Sequence, residues 1–488
     1  MPMKPANISA LPKPGFVIGG KKTTESSIGS YDHLYPANGQ LTYAVPLGGK
    51  KEMDEAVAAA RKAYPAWRAM PVNEKRKLMN RFAQVIRDHG EELKAIVMAE
   101  NGSPHMMADV FPEWIADLFE YNAGWADKIG GDMITTWPAP AFDYTIDEPY
   151  GVIGIIVPWN GPAISFGQMI APAMAVGNTC IIKPSEFAPY SCIRLGELAL
   201  EAGIPEGVIN VVPGGGEGGT ALCSHPGVDK LHFTGGGHTA QKVLSAAQPN
   251  LTPVGLELGG KSARLVFADA DRQTAIQAAL MGCIPMSGQA CIAGTRVLVE
   301  DSIFDSFVAD VQNAASYIKV GDPADADTAM GPLIHKQQMD RVLGFVDRAS
   351  SNGARIVSGG ERLGGDLADG FFVGPTLVAD VDASHEVVRD EVFGPVVSFM
   401  RFRDEEEAVR LANATPYGLA AYIESNDLKR VHRVAEALDA GSILVNNAYG
   451  LPVAAPFGGN KQSGVGRVGG IHGIREFVRT KNVYINMA

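Results

Sequence analysis

From Gly151 onward the chain alternates short, unbroken apolar runs with segments of helical length, and nothing else in it narrows the fold so far. The runs fall at 152–157, 179–183, 208–213, 230–234 and 253–258, with helix-length stretches such as 164–176 and 194–202 between them. A strand buried on both faces needs no polar alternation, so unbroken runs joined by helices predict a doubly wound parallel sheet. Ligands of such sheets sit beyond the carboxyl ends of the strands, where Lys183, Gly214-Gly215-Gly216 and Thr234-Gly235-Gly236 would fall. A second α/β region is expected from Gly260, with a helix over 271–281 and a strand over 296–299. A further helix is expected over 426–440, capped by Asn426 and closed by Gly441, and then a strand over 442–445.

Helices are expected ahead of the sheet. Val57, Ala60, Tyr64 and Trp67 share one helical face. A second helix would start at an Asn73 cap, carry Leu78, Phe82 and Val85, and pause at Gly90. A third carries Leu93, Ile96 and Val97 and stops at Asn101-Gly102. The alternating segments 142–147 and 482–486 are remote in sequence, yet they could pair as an appendage outside both α/β regions. At 488 residues the chain suggests two to four domains, and it has no repeat, low-complexity tract or long linker.

Charge and cysteine usage exclude several classes. With 42 basic against 54 acidic residues and no basic run, nucleic-acid binding is not expected. No run of about 18 apolar residues marks a membrane helix, and the proline-bearing start lacks the apolar core of a secretory signal. The five cysteines are odd in number and scattered, which fits a reducing cytoplasm. Without a C-x-x-C or H-E-x-x-H pattern, no metal site is expected.

One constellation points to chemistry. Ser287-Gly288-Gln289-Ala290-Cys291 reads as a small-residue turn presenting a cysteine. Glu257-Leu258-Gly259-Gly260-Lys261 puts a carboxylate on a second glycine turn, 34 residues upstream, and Pro158-Trp159-Asn160 precedes both. A thiol nucleophile, a carboxylate base and an amide donor are the parts needed for covalent chemistry at a carbonyl carbon. Each has a plainer reading: a structural cysteine, a surface or ion-paired glutamate, and an asparagine capping the next helix. Gly214 to Gly219 satisfies G-x-G-x-x-G, but a window so rich in glycine can hardly fail to, and the match is read as incidental.

These motifs occur in order with Lys183-Pro184-Ser185-Glu186, Phe233-Thr234-Gly235, Glu391-Val392-Phe393-Gly394-Pro395 and Pro456-Phe457-Gly458-Gly459. Together they resemble the NAD(P)-dependent aldehyde dehydrogenase superfamily over nearly the full chain. The resemblance implies an atypical Rossmann cofactor domain (1–130 and 150–259), an α/β catalytic domain (260–462) and a small β oligomerisation appendage (131–149 and 476–488). It implies a homodimer or homotetramer. By the same resemblance Cys291 is the nucleophile, Asn160 and the Cys291 N–H hold the oxyanion, and Glu257 activates water to hydrolyse the thioester. A Glu at 257 points to an acid-forming member rather than one passing the acyl group to coenzyme A.

The resemblance also assigns cofactor contacts to Lys183, Glu186, Trp159, Gly216, Phe233, Gly235, Gly236, Glu391 and Phe393. Glu186 can accept bonds from both ribose hydroxyls and would repel a 2′-phosphate, so NAD is expected, with NADP left open. For Lys183 and Glu186 the plainer reading is an i, i+3 salt bridge. Two departures stand out. Gly236 follows Gly235 where the family usually has Ser. Gly161 and Gln168 stand where several relatives carry aromatics lining the aldehyde tunnel. A wider, partly polar tunnel predicts a substrate bulkier or more functionalised than acetaldehyde, with Ile164, Met169, Ile292 and Phe457 as apolar walls. Two alternatives remain: a cysteine-dependent esterase or acyl transferase without NAD, and a non-catalytic binding protein on the same fold.

Overall fold

The structure, a computed structural model, describes residues 10–447, 450 and 452–487. An eight-stranded sheet runs Lys21–Thr23, Phe16–Ile18, Ile209–Val211, Thr179–Lys183, Val152–Ile156, Lys230–Gly235, Val254–Leu258, Gly464–Val465. The five strands from Ile209–Val211 to Val254–Leu258 are mutually parallel. Side chains alternate between two cores. Ile153, Ile155, Cys180 and Ile182 join one apolar cluster, while Val152, Ile156, Ile181 and Leu231 join another. Burial on both faces is the reason these strands read as continuous apolar runs.

A second, seven-stranded sheet runs Arg355–Ser358, Thr376–Ala379, Val396–Phe402, Arg296–Glu300, Ala263–Val266, Ala420–Glu424, Ser442–Val445. It is likewise covered on both faces, Leu265 and Leu298 facing one cluster and Val266 and Val297 the other. A three-stranded sheet pairs Val478–Asn486 antiparallel with Ala141–Pro149, which also pairs Met133–Ile134. The expected partnership of 142–147 with 482–486 is therefore present, with Lys481 opposite Ile146. Among the described residues no helix is long and apolar enough to cross a membrane, and no group of three metal-ligating side chains converges. Residues 1–9, part of the segment read for a leader, lie outside the described residues.

Four local expectations are corrected. The second helix, Val72–Asp88, starts behind Pro71, and Asn73 sits inside its first turn bonded to Glu74. The late helix is Leu428–Ala437, and its cap is Asp427, which accepts from the Lys429 and Arg430 amides. Asn426 instead donates its side-chain amide to Asp269. Strands precede the first helix: Phe16–Ile18 and Lys21–Thr23 form a hairpin through Gly19-Gly20, both at positive φ. That Gly-Gly pair is a readable hairpin signal that sequence reasoning missed. Glu257 lies not on a turn but as the penultimate residue of the Val254–Leu258 strand, opposite Thr234 and Gly464.

Candidate active site

Strand order places the site. Adjacent strands Val152–Ile156 and Lys230–Gly235 leave the first sheet in opposite directions along the order, the switch point where a crevice opens. Trp159 and Asn160 follow the first of these strands, and Gly235 ends the second. The second sheet meets this crevice with its amino ends, since Cys291 leads into Arg296–Glu300 and Glu391 and Phe393 lead into Val396–Phe402. The Gly259–Ser262 link joins the sheets beside both.

The cysteine turn is unusual backbone. Met286, Ser287 and Gly288 are consecutive left-handed residues at φ 48°, 56° and 72°. Two of them carry side chains, each costing roughly 1–2 kcal/mol in that conformation. The surroundings hold it there. Ser287 donates to the Gly331 carbonyl at 2.7 Å, the Gln289 amide donates to the Met286 carbonyl at 2.8 Å, and the Ile334 N–H donates to Gln289 Oε1 at 3.1 Å. At Gly288 a Cβ would lie 2.2 Å from the Gly394 carbonyl oxygen, so the position must be glycine. Asn160 Nδ2 donates to the Gln289 carbonyl at 2.7 Å, which leaves its second amide proton for another acceptor. It does not cap the following helix, whose N-cap is Gly161.

Cys291, Glu257, Asn160, Trp159, Gly235, Gly236, Glu391, Phe393, Gly161, Ile164, Gln168, Ile292 and Phe457 line one cavity of about 370 Å³. Cys291 is partly exposed, unlike the four other cysteines, which are buried. Desolvation, then the facing carboxylates of Glu391 and Glu257, push its thiol up to about 12. Glu257 is 4% exposed and neither carboxylate oxygen has a partner. Burial raises its pKa well above the usual carboxylate range, opposed by the nearby Arg467 charge. Such a group takes up a proton readily, the property a general base uses. Glu391 accepts from the Gly260 N–H at 3.3 Å and lies so close that a Cβ on Gly259 would meet its Oε2 at 1.9 Å. Burial raises it to about 7.

The remaining expected contacts lie outside this cavity. Lys183 is buried and donates to the carbonyls of Gly214 and Pro184; it makes no salt bridge with Glu186. Glu186 is half-buried, its Oε1 facing Gly215. Phe233 is a correction: its ring lies in the core under Gly235, supporting that turn rather than facing the crevice. Gly216 and Gly236 stand at the starts of helices Gly216–Cys223 and Gly237–Ala247, where an added Cβ would meet nothing within 4 Å. Neither helix has a side-chain cap, which leaves their first N–H groups for another acceptor such as a pyrophosphate. The residues present thus fit a dinucleotide: two uncapped helix starts, a Glu186 carboxylate whose one partner is the Ser185 hydroxyl, and Glu391 with Phe393 at the cavity.

Sequence reasoning missed several participants. Gln338 donates to the Phe393 carbonyl at 2.7 Å and Arg341 to the Glu391 carbonyl at 2.7 Å, together holding that loop. Phe393 sits at φ 57° with its ring 5.2 Å from Trp159. Phe111 and Trp114, from helix His105–Ala123, add an aromatic wall to the cavity. Behind the cysteine turn, Tyr422 donates its hydroxyl to the Ile292 carbonyl at 2.8 Å. The Arg264 guanidinium stacks 4.1 Å over its ring and ion-pairs with Glu424.

Known proteins share this architecture. A profile of the aldehyde dehydrogenase family matches residues 23–483. Aldehyde dehydrogenase family 2 member C4 of Arabidopsis thaliana is 39% identical over 473 residues, spanning 96% of this chain and 93% of its own. An aldehyde dehydrogenase of Emericella nidulans is 39% identical over 461 residues, covering 94% and 92%. Among solved structures, betaine aldehyde dehydrogenase from Staphylococcus aureus in complex with NAD+ superposes with TM-score 0.96. It is 36% identical and covers 99% of this chain and 97% of its own.

Proposed function

The chain belongs to the aldehyde dehydrogenase family and is an NAD-dependent aldehyde dehydrogenase; we propose that Cys291, Glu257 and Asn160 carry the reaction. The observation that bears most weight is the unpartnered, buried Glu257 carboxylate in the same cavity as the one partly exposed cysteine.

In this reading the Cys291 sulfur attacks the aldehyde carbon, forming the C–S bond as the carbonyl π pair moves onto oxygen. The thiol proton is lost to solvent in this step, because a thiol pushed to about 12 is not ionised at neutral pH. The free Asn160 amide proton and the Cys291 N–H hold the oxyanion; one such donor is worth about 3–4 kcal/mol. NAD, when bound, would supply the acceptor for the hydride whose loss from the adduct leaves a thioester on Cys291. Glu257 then takes a proton from water, the hydroxyl adds to the thioester carbon, and collapse expels Cys291 and releases the acid.

Glu186 would hold the adenosine ribose hydroxyls and disfavour NADP, Lys183 would stiffen that turn through the Gly214 carbonyl, and Trp159, Gly235, Gly236, Glu391 and Phe393 would frame the nicotinamide half. We read 1–130 with 150–259 as the cofactor domain, 260–462 as the catalytic domain, and 131–149 with 476–488 as the appendage. Residues 1–9, 448, 449, 451 and 488 of these spans lie outside the described residues. Exposed Trp137, Phe142, Ile146 and Ile485 on the appendage support a homodimer or a tetramer of dimers. Five unpaired cysteines support a cytoplasmic setting.

The test separates this reading from an NAD-independent esterase. Acid formation from an aldehyde should require NAD and match NADH one for one. Acid appearing without NAD, or ester cleavage as the larger activity, would overturn it.

A further inference from the structure

The cavity has two chemically distinct halves. Among the described lining residues the ionisable side chains are Cys291, Glu257, Glu391 and Arg341. Arg341 is committed to the carbonyls of Glu391 and Val392, on the Phe393 side. The opposite half lies between helices His105–Ala123 and Pro162–Ala175. It is built from Phe111, Trp114, Ile164, Met169, Met286 and Phe457, with Ser165 and Gln168 as polar members and no charge among the described lining residues. Phe111, Trp114 and Leu118 stand at i, i+3 and i+7 on one helix, so both rings share the face turned to the cavity. Gly161, beside Asn160, has nothing within 4 Å of the point its Cβ would occupy. Its φ of −149° is open to any residue, so the space there belongs to the cavity rather than to a backbone constraint.

We propose that the substrate is an uncharged, ring-bearing aldehyde whose ring lies between Trp114 and Phe457 and occupies the space left open by Gly161. The proposal rests on the dehydrogenase reading above and names its substrate class. Aromatic walls favour a flat partner by offset or edge contact as well as by burial. A carboxylate on the substrate would lose its hydration with no opposite charge on this side to replace it, and a quaternary ammonium, which aromatic faces can hold, lacks the flat ring that would fill the space at Gly161. The Gln168 amide can hydrogen-bond a ring hydroxyl or carbonyl without requiring charge.

The experiment measures kcat/KM with NAD for phenylacetaldehyde, 4-carboxybenzaldehyde, betaine aldehyde and acetaldehyde, in the wild type and in Gly161→Phe and Trp114→Ala. Phenylacetaldehyde should exceed each of the others by about 100-fold, the scale set by several extra apolar groups in a fitted pocket. Gly161→Phe should lower the phenylacetaldehyde to acetaldehyde ratio by about 10-fold, through bulk placed in the open space. Trp114→Ala should lower it too, and either variant suffices if the other does not fold. A preference for the carboxylate, the ammonium or the two-carbon aldehyde would overturn the substrate class while leaving the dehydrogenase intact. An unchanged ratio in both folded variants would do the same. No NADH from any of the four would sink both readings together.

Discussion

At the scale of single residues, Glu257 concentrates the account. Its carboxylate has no hydrogen-bond partner and its pKa is raised by burial. The unfolded chain releases this proton near pH 4.5 and the folded chain holds it to a much higher pH. Stability is therefore unaffected by the group below that point and falls as pH rises above it, until the folded group also ionises. Glu257→Gln removes the cost, so the variant should melt above the wild type by a margin that grows as pH rises above that point. Turnover should fall on the order of 100-fold, and the acid limb of the wild-type rate profile should vanish. A variant no more stable at high pH, or one that keeps its turnover, would contradict the assignment. Cys291, Glu257 and Asn160 were legible because each stands in a short motif with its chemistry attached. Gln338, Arg341 and Trp114 were not, because a polar or aromatic residue on a helix gains meaning only when folding aims it at a particular loop or cavity. Phe233 shows the converse, a motif residue whose ring the sheet register sends into the core.

At the scale of elements, the strands were legible and their caps were not. Thr179–Lys183 falls where its apolar run put it, since burial on both faces leaves a local mark, and Ser442–Val445, a half-buried edge strand, also falls where it was expected. Asn73 and Asn426 have the chemistry of caps, but Pro71 and Asp427 stand at the helix starts, and the choice among neighbouring candidates is made by contacts such as Asn426 to Asp269. The cysteine turn depends on a contact invisible in sequence: Arg264 and Tyr422 are opposite one another in adjacent strands, and only that register brings the Tyr422 hydroxyl to the Ile292 carbonyl. Tyr422→Phe keeps the ring under Arg264 and deletes this bond. It should cost about 1 kcal/mol of stability and lower kcat by about 10-fold through a displaced Cys291, with KM for NAD little changed. An unaltered kcat would mean that the turn holds itself.

At the scale of the whole molecule, the parallel strands of two mixed sheets are set carboxyl end to amino end, so that one sheet brings Asn160, Gly235 and Glu257 and the other brings Cys291, Glu391 and Phe393. Alternating strands and helices foretold both sheets, but their mutual placement follows from the short Gly259–Ser262 link, at which Gly259 makes room for Glu391. The proposed nucleophile and the proposed base thus come from different sheets, and in this reading Cys291 alone among five cysteines does the chemistry. The direct measurement is NADH formation from an aldehyde by the wild type and by Cys291→Ala, with NAD binding measured on both. Equal NAD binding is expected, with NADH from the wild type and none above background from the variant. NADH produced by a folded Cys291→Ala protein would contradict it.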